Sequence, residues 1–133
     1  MKLTTKSEYS LLALIYIARY EKEGFIKISR ICSKYNIPKK YLEQLFLLLK
    51  QKRYLVTKTG SQGGYKLALS ARKITLAQIV RLMDGALAPT ESVSKYFFSH
   101  TPVEKEEKVT RVLKEIRDYV SNKLEHLKLA DLV

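Results

Sequence analysis

Four polar side chains near residue 40 have the types and spacing that read DNA base edges. They are Lys39, Lys40, Glu43 and Gln44. A glutamine can pair bidentately with adenine, a glutamate can accept from the cytosine amino group, and a lysine reaches guanine or phosphate. The alternative is an ordinary solvated helix face, and the four residues alone do not separate the two interpretations.

A second group has the chemistry of contacts to the sugar–phosphate backbone. It combines cations with small or polar residues around a glycine-rich turn, whose Gly60, Gly63 and Gly64 allow close approach to a sugar–phosphate wall. The predicted phosphate and wing contacts are Tyr41, Lys50, Arg53, Lys58, Gly60, Ser61, Gln62, Gly63 and Lys66. The glycines lack the GK[ST] ending of a nucleotide-binding P-loop.

Catalysis and metal binding have little support. The only histidines, His100 and His126, stand in no nucleophile, acid–base or metal-ligand pattern. The single cysteine, Cys32, excludes an internal disulfide and a cysteine-built metal site. We expect a packed, inert thiol there rather than a redox sensor, and we predict no enzyme activity, no cofactor and no metal.

The positive charge lies in the first part of the chain. The 133 residues carry a net charge of +12, which predicts a polyanionic partner. Residues 1–82 hold 17 Lys and Arg against 4 Asp and Glu, whereas residues 83–133 hold 8 against 9. The longest apolar run, Leu11 to Ala18, is too short to span a bilayer and is a poor signal peptide, so cytoplasmic residence is expected.

The elements that position these residues follow a winged helix-turn-helix pattern. A first helix starts with a capping box from Thr5 to Glu8 and runs to about Lys22. A short helix covers about 28–35, Asn36 provides a left-handed turn, and a third helix runs from about Pro38 to Lys52. Residues 54–58 and 65–69 then read as a β-hairpin, the wing. The fold class is mainly α with this small hairpin.

Two further helices are predicted after the wing. Thr75 caps a helix of about 76–84 that Gly85 closes. The last helix runs from about Val103 to Leu127 and carries an apolar stripe suited to a second copy of the chain. Packing on its own domain is the alternative. The predicted dimer interface consists of Val109, Val112, Leu113, Ile116, Val120 and Leu124.

The chain therefore divides into three parts. Residues 1–85 form the DNA-binding domain, 86–102 a connector, and 103–133 the dimerisation helix and tail. The connector is aromatic, with Tyr96, Phe97, Phe98 and His100. These residues could line a small-molecule pocket, form a docking surface for a partner protein, or simply close the core.

Several short motifs resemble, in order, the IscR–NsrR–CymR family of bacterial winged-helix regulators. The motifs are Met1 to Lys6, Tyr41 to Leu45, Gly63 to Ala68, Ile74 to Leu76, Asp84–Gly85 and Leu129 to Leu132. The resemblance covers nearly the whole chain. It implies a homodimeric transcription factor, usually a repressor, with the long last helix at the dimer interface.

Three departures from the family pattern matter. Many members bind an iron–sulfur cluster through three cysteines, but the corresponding stretch, Ala88 to Lys108, has none, and Ser92 stands in the first cysteine's place. The chain therefore looks closest to the cluster-free, CymR-like branch. Thr59 replaces an arginine before the wing glycines. Pro38, Lys39 and Lys40 replace the usual serine and small polar residues, so the operator sequence does not carry over.

The resulting hypothesis is a sequence-specific regulator that binds a duplex DNA operator as a homodimer. A small-molecule or protein effector would act through the connector, and no membrane is involved. Two alternatives remain open at this point: a winged helix that binds RNA or ribosomes, and an interaction module whose basic face docks an acidic protein.

Overall fold

The computed structural model describes all 133 residues as five α-helices and one two-stranded antiparallel sheet. The helices are α1 (Thr5–Arg19), α2 (Ile28–Tyr35), α3 (Lys39–Gln51), α4 (Leu76–Asp84) and α5 (Glu107–His126), and the strands are β1 (Leu55–Lys58) and β2 (Gly64–Leu67). Short 3-10 turns occupy Glu21–Glu23, Ala71–Lys73, Glu91–Val93, Pro102–Lys105 and Leu129–Leu132. No helix is long and apolar enough to cross a lipid bilayer.

The predicted helix-turn-helix and wing are confirmed. α2 and α3 meet through Asn36, whose φ of 53° is left-handed, and Ile37 behind it is buried. In the wing, Leu55 pairs with Leu67 and Lys58 pairs with Gly64. One core joins all of these elements and includes Leu14, Leu42 and Phe46, none of which is exposed to solvent.

The connection between α1 and α2 pairs with the wing through one isolated β-bridge, between Ile26 and Tyr65. Ile26 donates its N–H to the Tyr65 carbonyl at 2.8 Å, and Tyr65 donates back to the Ile26 carbonyl at 2.8 Å. Ile26 is fully buried. This bridge holds the base of the wing against the start of α2.

Two helix starts differ from the sequence prediction. The residue that caps α1 is Thr4, not Thr5: its hydroxyl accepts from the Lys6 N–H, and the Asp84 carboxylate holds it in place. The last helix begins at Glu107 rather than Val103, because Glu106 is extended and separates α5 from the preceding 3-10 turn. The predicted cap at Thr75 is confirmed, and Gln78 completes a capping box there.

The end of the chain returns to the first domain. Leu129 is fully buried in the main core and donates its N–H to the Ile74 carbonyl at 2.8 Å. The Leu76 N–H donates to the Leu127 carbonyl at 2.9 Å. The tail, which the sequence grouped with the long helix, thus packs with the winged helix.

Candidate nucleic-acid interface

The outer face of α3 carries the predicted base-reading side chains. Leu42, Phe46 and Leu49 are completely buried and set the rotation of the helix about its axis. The opposite face is therefore turned to solvent, and the side chains of Lys39, Lys40, Glu43 and Gln44 all lie in exposed positions. The structure places these four predicted residues on the first two turns of one helix.

Two of these side chains form only a loose ion pair. The Lys39 ammonium lies 4.0 Å from the Glu43 carboxylate, and both side chains are about half exposed or more. Such an exposed pair contributes at most about 1 kcal/mol and is screened by salt. Both groups therefore remain available to an incoming ligand.

Tyr41 joins α3 to α1. Its ring meets the Tyr9 ring edge to face at 5.6 Å, and its hydroxyl lies 3.2 Å from the Thr5 hydroxyl. The ring is half-buried in this joint. A phosphate contact by Tyr41 stays a prediction, and its hydroxyl already has the Thr5 hydroxyl within hydrogen-bond distance.

The wing tip presents its polar residues to solvent. Ser61 and Gln62 are exposed, and Gly60, with a φ of 95°, has open space where a Cβ would stand. Gly63 and Gly64 are different. A Cβ at Gly63 would meet the Lys58 carbonyl, and one at Gly64 would meet the Ile26 carbonyl. The fold itself therefore requires glycine at positions 63 and 64. The sequence interpretation had assigned all three glycines to close approach of DNA.

Two wing lysines pack on one aromatic ring, that of Phe25, which the sequence did not predict as part of the site. The Lys58 and Lys66 ammonium groups lie 5.9 and 5.6 Å from the centroid of the Phe25 ring. Phe25 directly precedes Ile26, and the bridge from Ile26 to Tyr65 holds this part of the chain beside the wing. The available signal was the Phe25–Ile26 pair, an apolar pair between the charged residues Glu23 and Lys27. The ring positions both cations on one side of the hairpin.

A concave surface lies between the wing and the starts of α2 and α3. It encloses about 340 Å³ and is lined by Lys27, Ser29, Lys39 and the backbone of the glycine turn. Lys27 and Ser29 were not predicted, because their proximity to the wing depends on the Ile26 bridge. Lys50 and Arg53 do not line this surface; they line a separate depression with Val56 and Thr57.

The apolar stripe of α5 divides into two faces. Leu113, Val120 and Leu124 are half-buried, and Leu124 packs on Ala77, Val80 and Leu87 of the same chain. The outer face is free in this chain. Its exposed residues are Val109 (47%), Val112 (52%), Ile116 (44%) and Tyr119 (76%). The inner residues support the intramolecular alternative, and Tyr119 extends the outer row beyond what the sequence suggested.

The connector is held to the helices while its aromatic side chains stay exposed. Arg117 donates to the Val93 carbonyl at 3.0 Å, and the Arg81 guanidinium lies 4.8 Å from the Tyr96 ring centroid. Phe97 and Phe98 are 45% and 54% exposed, so they do not close the core. His100 packs edge to face on Phe98 and lies 3.0 Å from the Glu104 carboxylate.

Comparison with known proteins identifies the family. The model of the Rrf2 family, described as an iron-dependent transcriptional regulator, matches residues 3–133. The chain belongs to the Rrf2 family. It is 32% identical over 133 residues to the HTH-type transcriptional regulator CymR of Bacillus subtilis, a match that covers 99% of this chain and 89% of that protein. It is also 36% identical over 91 residues to the protein rrf2 of Nitratidesulfovibrio vulgaris.

Solved structures of Rrf2 relatives share the fold. The structure of B. subtilis CymR, described as the global cysteine regulator of that organism, superposes with a TM-score of 0.80 at 29% identity, covering 99% of this chain and 95% of that chain. IscR of T. potens gives a TM-score of 0.77 at 26% identity, covering 99% and 85%. Matches to other curated relatives are shorter: they span 61% of the protein rrf2 and 64% of a Neisseria meningitidis regulator.

The residues of this Rrf2 chain do not fit an iron–sulfur cluster. Residues 86–108 contain no sulfur ligand. Ser92 is buried, and its hydroxyl oxygen accepts a 2.6 Å hydrogen bond from the Thr101 hydroxyl, an internal bond that closes the connector. Cys32 lies apart in α2, where burial raises the pKa of its thiol and disfavours the thiolate that a metal needs.

Proposed function

We propose that this protein is a sequence-specific DNA-binding transcriptional repressor that acts as a homodimer and without an iron–sulfur cluster. The observation that carries the proposal is the combination of an exposed polar face on α3 with a lysine-flanked wing beside it. An α-helix of this kind fits the major groove, and the wing cations fit the adjacent phosphates.

Sequence readout is assigned to α3. Gln44 would pair with adenine and Glu43 with the cytosine amino group, while Lys39 and Lys40 reach guanine or phosphate. Phosphate contacts are assigned to Lys58 and Lys66 together with the polar wing tip. The concave surface at Lys27 and Ser29 lies between these two groups, so it extends the same interface toward α2.

Dimerisation is assigned to the outer face of α5. Its exposed apolar residues recur at spacings of three and four, so they form one row along the helix. Four large apolar side chains in one exposed row exceed the scattered exposure that a monomer normally shows. A second copy would cover the row and would present two α3 helices to two half-sites.

Repression without an iron–sulfur cluster agrees with the absence of cysteine ligands from residues 86–108. A protein bound to an operator can block transcription without any cofactor. The family resemblance implies this repressor role as the usual one. The signal would enter through the connector, which contacts α4 where Arg81 packs on the Tyr96 ring and α5 where Arg117 donates to the Val93 carbonyl. A ligand that prefers one arrangement of these elements would shift operator affinity.

The test separates base readout from phosphate contact. The wild-type protein is first used to select its preferred site from a random duplex library. Gln44→Ala should then lose discrimination at one base pair, by about 1–3 kcal/mol. Lys58→Ala should weaken all sequences alike and lower the salt slope by about one. The matched control is Lys105→Ala, an exposed lysine of the 3-10 turn before α5 that should change neither quantity.

Two results would contradict the proposal. One is equal behaviour of Gln44→Ala and Lys58→Ala on the selected and scrambled duplexes. The other is a selection that yields no preferred duplex while single-stranded RNA or an acidic protein binds more tightly.

A further inference from the structure

One apolar side chain lies in the middle of the polar face of α3. Leu47 is 57% exposed, more than any other leucine of the chain, and it is the exposed large apolar residue of this helix. Three core leucines and Phe46 already fill the inner face. The fold therefore supplies no partner for the Leu47 side chain.

The position of Leu47 places it among the predicted base readers. It follows Lys40 by seven residues, Glu43 by four and Gln44 by three, which are the spacings of neighbours on one helix face. With a rise of about 1.5 Å per residue, Leu47 lies about 4.5 Å further along the helix axis than Gln44. One base-pair step is about 3.4 Å.

The major groove offers one apolar group, the C5-methyl of thymine. The other groups on the base edges there are hydrogen-bond donors and acceptors, which gain nothing from a leucine side chain. We propose that Leu47 reads a thymine methyl in each half-site, within about two base pairs of the pair that Gln44 reads. The inference rests on the proposed DNA-binding function and adds a specificity-determining residue to it.

The net charge of the surrounding surface favours DNA over an apolar protein partner as the occupant of this face. Residues 1–82 hold 17 Lys and Arg against 4 Asp and Glu, and Lys40, Lys50 and Lys39 are exposed on the same helix. A single leucine among cations and amides is also much smaller than the apolar core of a protein interface.

The experiment removes the methyl group from the DNA and the side chain from the protein. In the selected duplex, each thymine is replaced in turn by deoxyuridine, which lacks only the C5-methyl. Wild-type protein should lose about fourfold in affinity at one thymine per half-site, which corresponds to the ~0.8 kcal/mol of one buried methylene-sized group. Leu47→Ala should bind the thymine duplex less tightly and should show no further loss with deoxyuridine at that position.

The control variant is Leu132→Ala, which truncates an exposed leucine of the C-terminal turn and should keep the full deoxyuridine effect. Because alanine is the best helix former, Leu47→Ala should retain the thermal midpoint of the wild type. If Leu47→Ala leaves every deoxyuridine effect unchanged, the inference is wrong although DNA binding stands. A change of oligomeric state in Leu47→Ala would overturn it in favour of a protein contact. Absence of any preferred duplex for the wild type would instead refute the proposed function itself.

Discussion

The link between Thr4 and Asp84 ties the first residue before α1 to the last residue of α4. The Thr4 N–H donates to one carboxylate oxygen at 2.8 Å, and the Thr4 hydroxyl donates to the other. The carboxylate also lies at the N-terminal end of α1, where a negative charge is favourable. Removing it with Asp84→Ala breaks both bonds and leaves the cap of α1 without its support.

The magnitude follows from these contacts. A hydrogen bond to a charged group contributes about 1.5–3 kcal/mol where it is desolvated, but both bonds here lie near the surface. We therefore expect Asp84→Ala to lower the free energy of unfolding by about 1–3 kcal/mol in total. Asp84→Asn, which keeps an acceptor and loses the charge, should cost about half of that.

The pH dependence has a defined sign. Burial alone would raise the pKa of Asp84, but the two Thr4 hydrogen bonds and the nearby Lys6 ammonium outweigh it and hold the pKa below the ordinary aspartate value. A lowered pKa means that the carboxylate stabilises the fold above pH of about 4 and loses that effect as the pH falls through the lowered pKa. The difference between wild type and Asp84→Asn should therefore shrink in acid.

Urea unfolding at pH 7 and pH 3 measures this difference. Protein concentration is kept constant because the stability of a dimer depends on it. Glu91→Gln is the control, since the Glu91 carboxylate is exposed and forms no hydrogen bond or ion pair. Equal midpoints for Asp84→Ala and wild type at pH 7 would refute the reasoning, as would an Asp84→Asn effect that grows in acid.

Three further predictions concern the proposed dimer, cofactor and signal. Ile116→Glu should give monomers in sedimentation and weaker operator binding, whereas a wild-type monomer at micromolar concentration would contradict the dimer. Protein purified without oxygen should be colourless and iron-free, and a visible cluster band would contradict this. Phe97→Ala and Phe98→Ala should keep the fold and basal DNA binding but alter the response to metabolite pools. Unfolding of both variants would mean that these rings are structural.

The sequence predicted those features whose cause is local. α2 has the predicted bounds, Asn36 is left-handed, and Thr75 caps α4, because capping and turn geometry depend on residues only a few positions apart. The exposed face of α3 follows from helical periodicity in the same way. The motifs that resemble the family also lie within such short segments.

The tertiary structure decided what depends on residues far apart in the chain. Thr4 rather than Thr5 caps α1 because Asp84, eighty positions away, holds it. Gly64 is needed where the chain at Ile26 crosses the wing. Periodicity alone places Val112 and Leu124 on one stripe, yet Leu124 packs on α4 and Val112 faces solvent. A helical pattern identifies an apolar side chain, but only the position of neighbouring elements determines which apolar residues are already covered and which remain free for a partner.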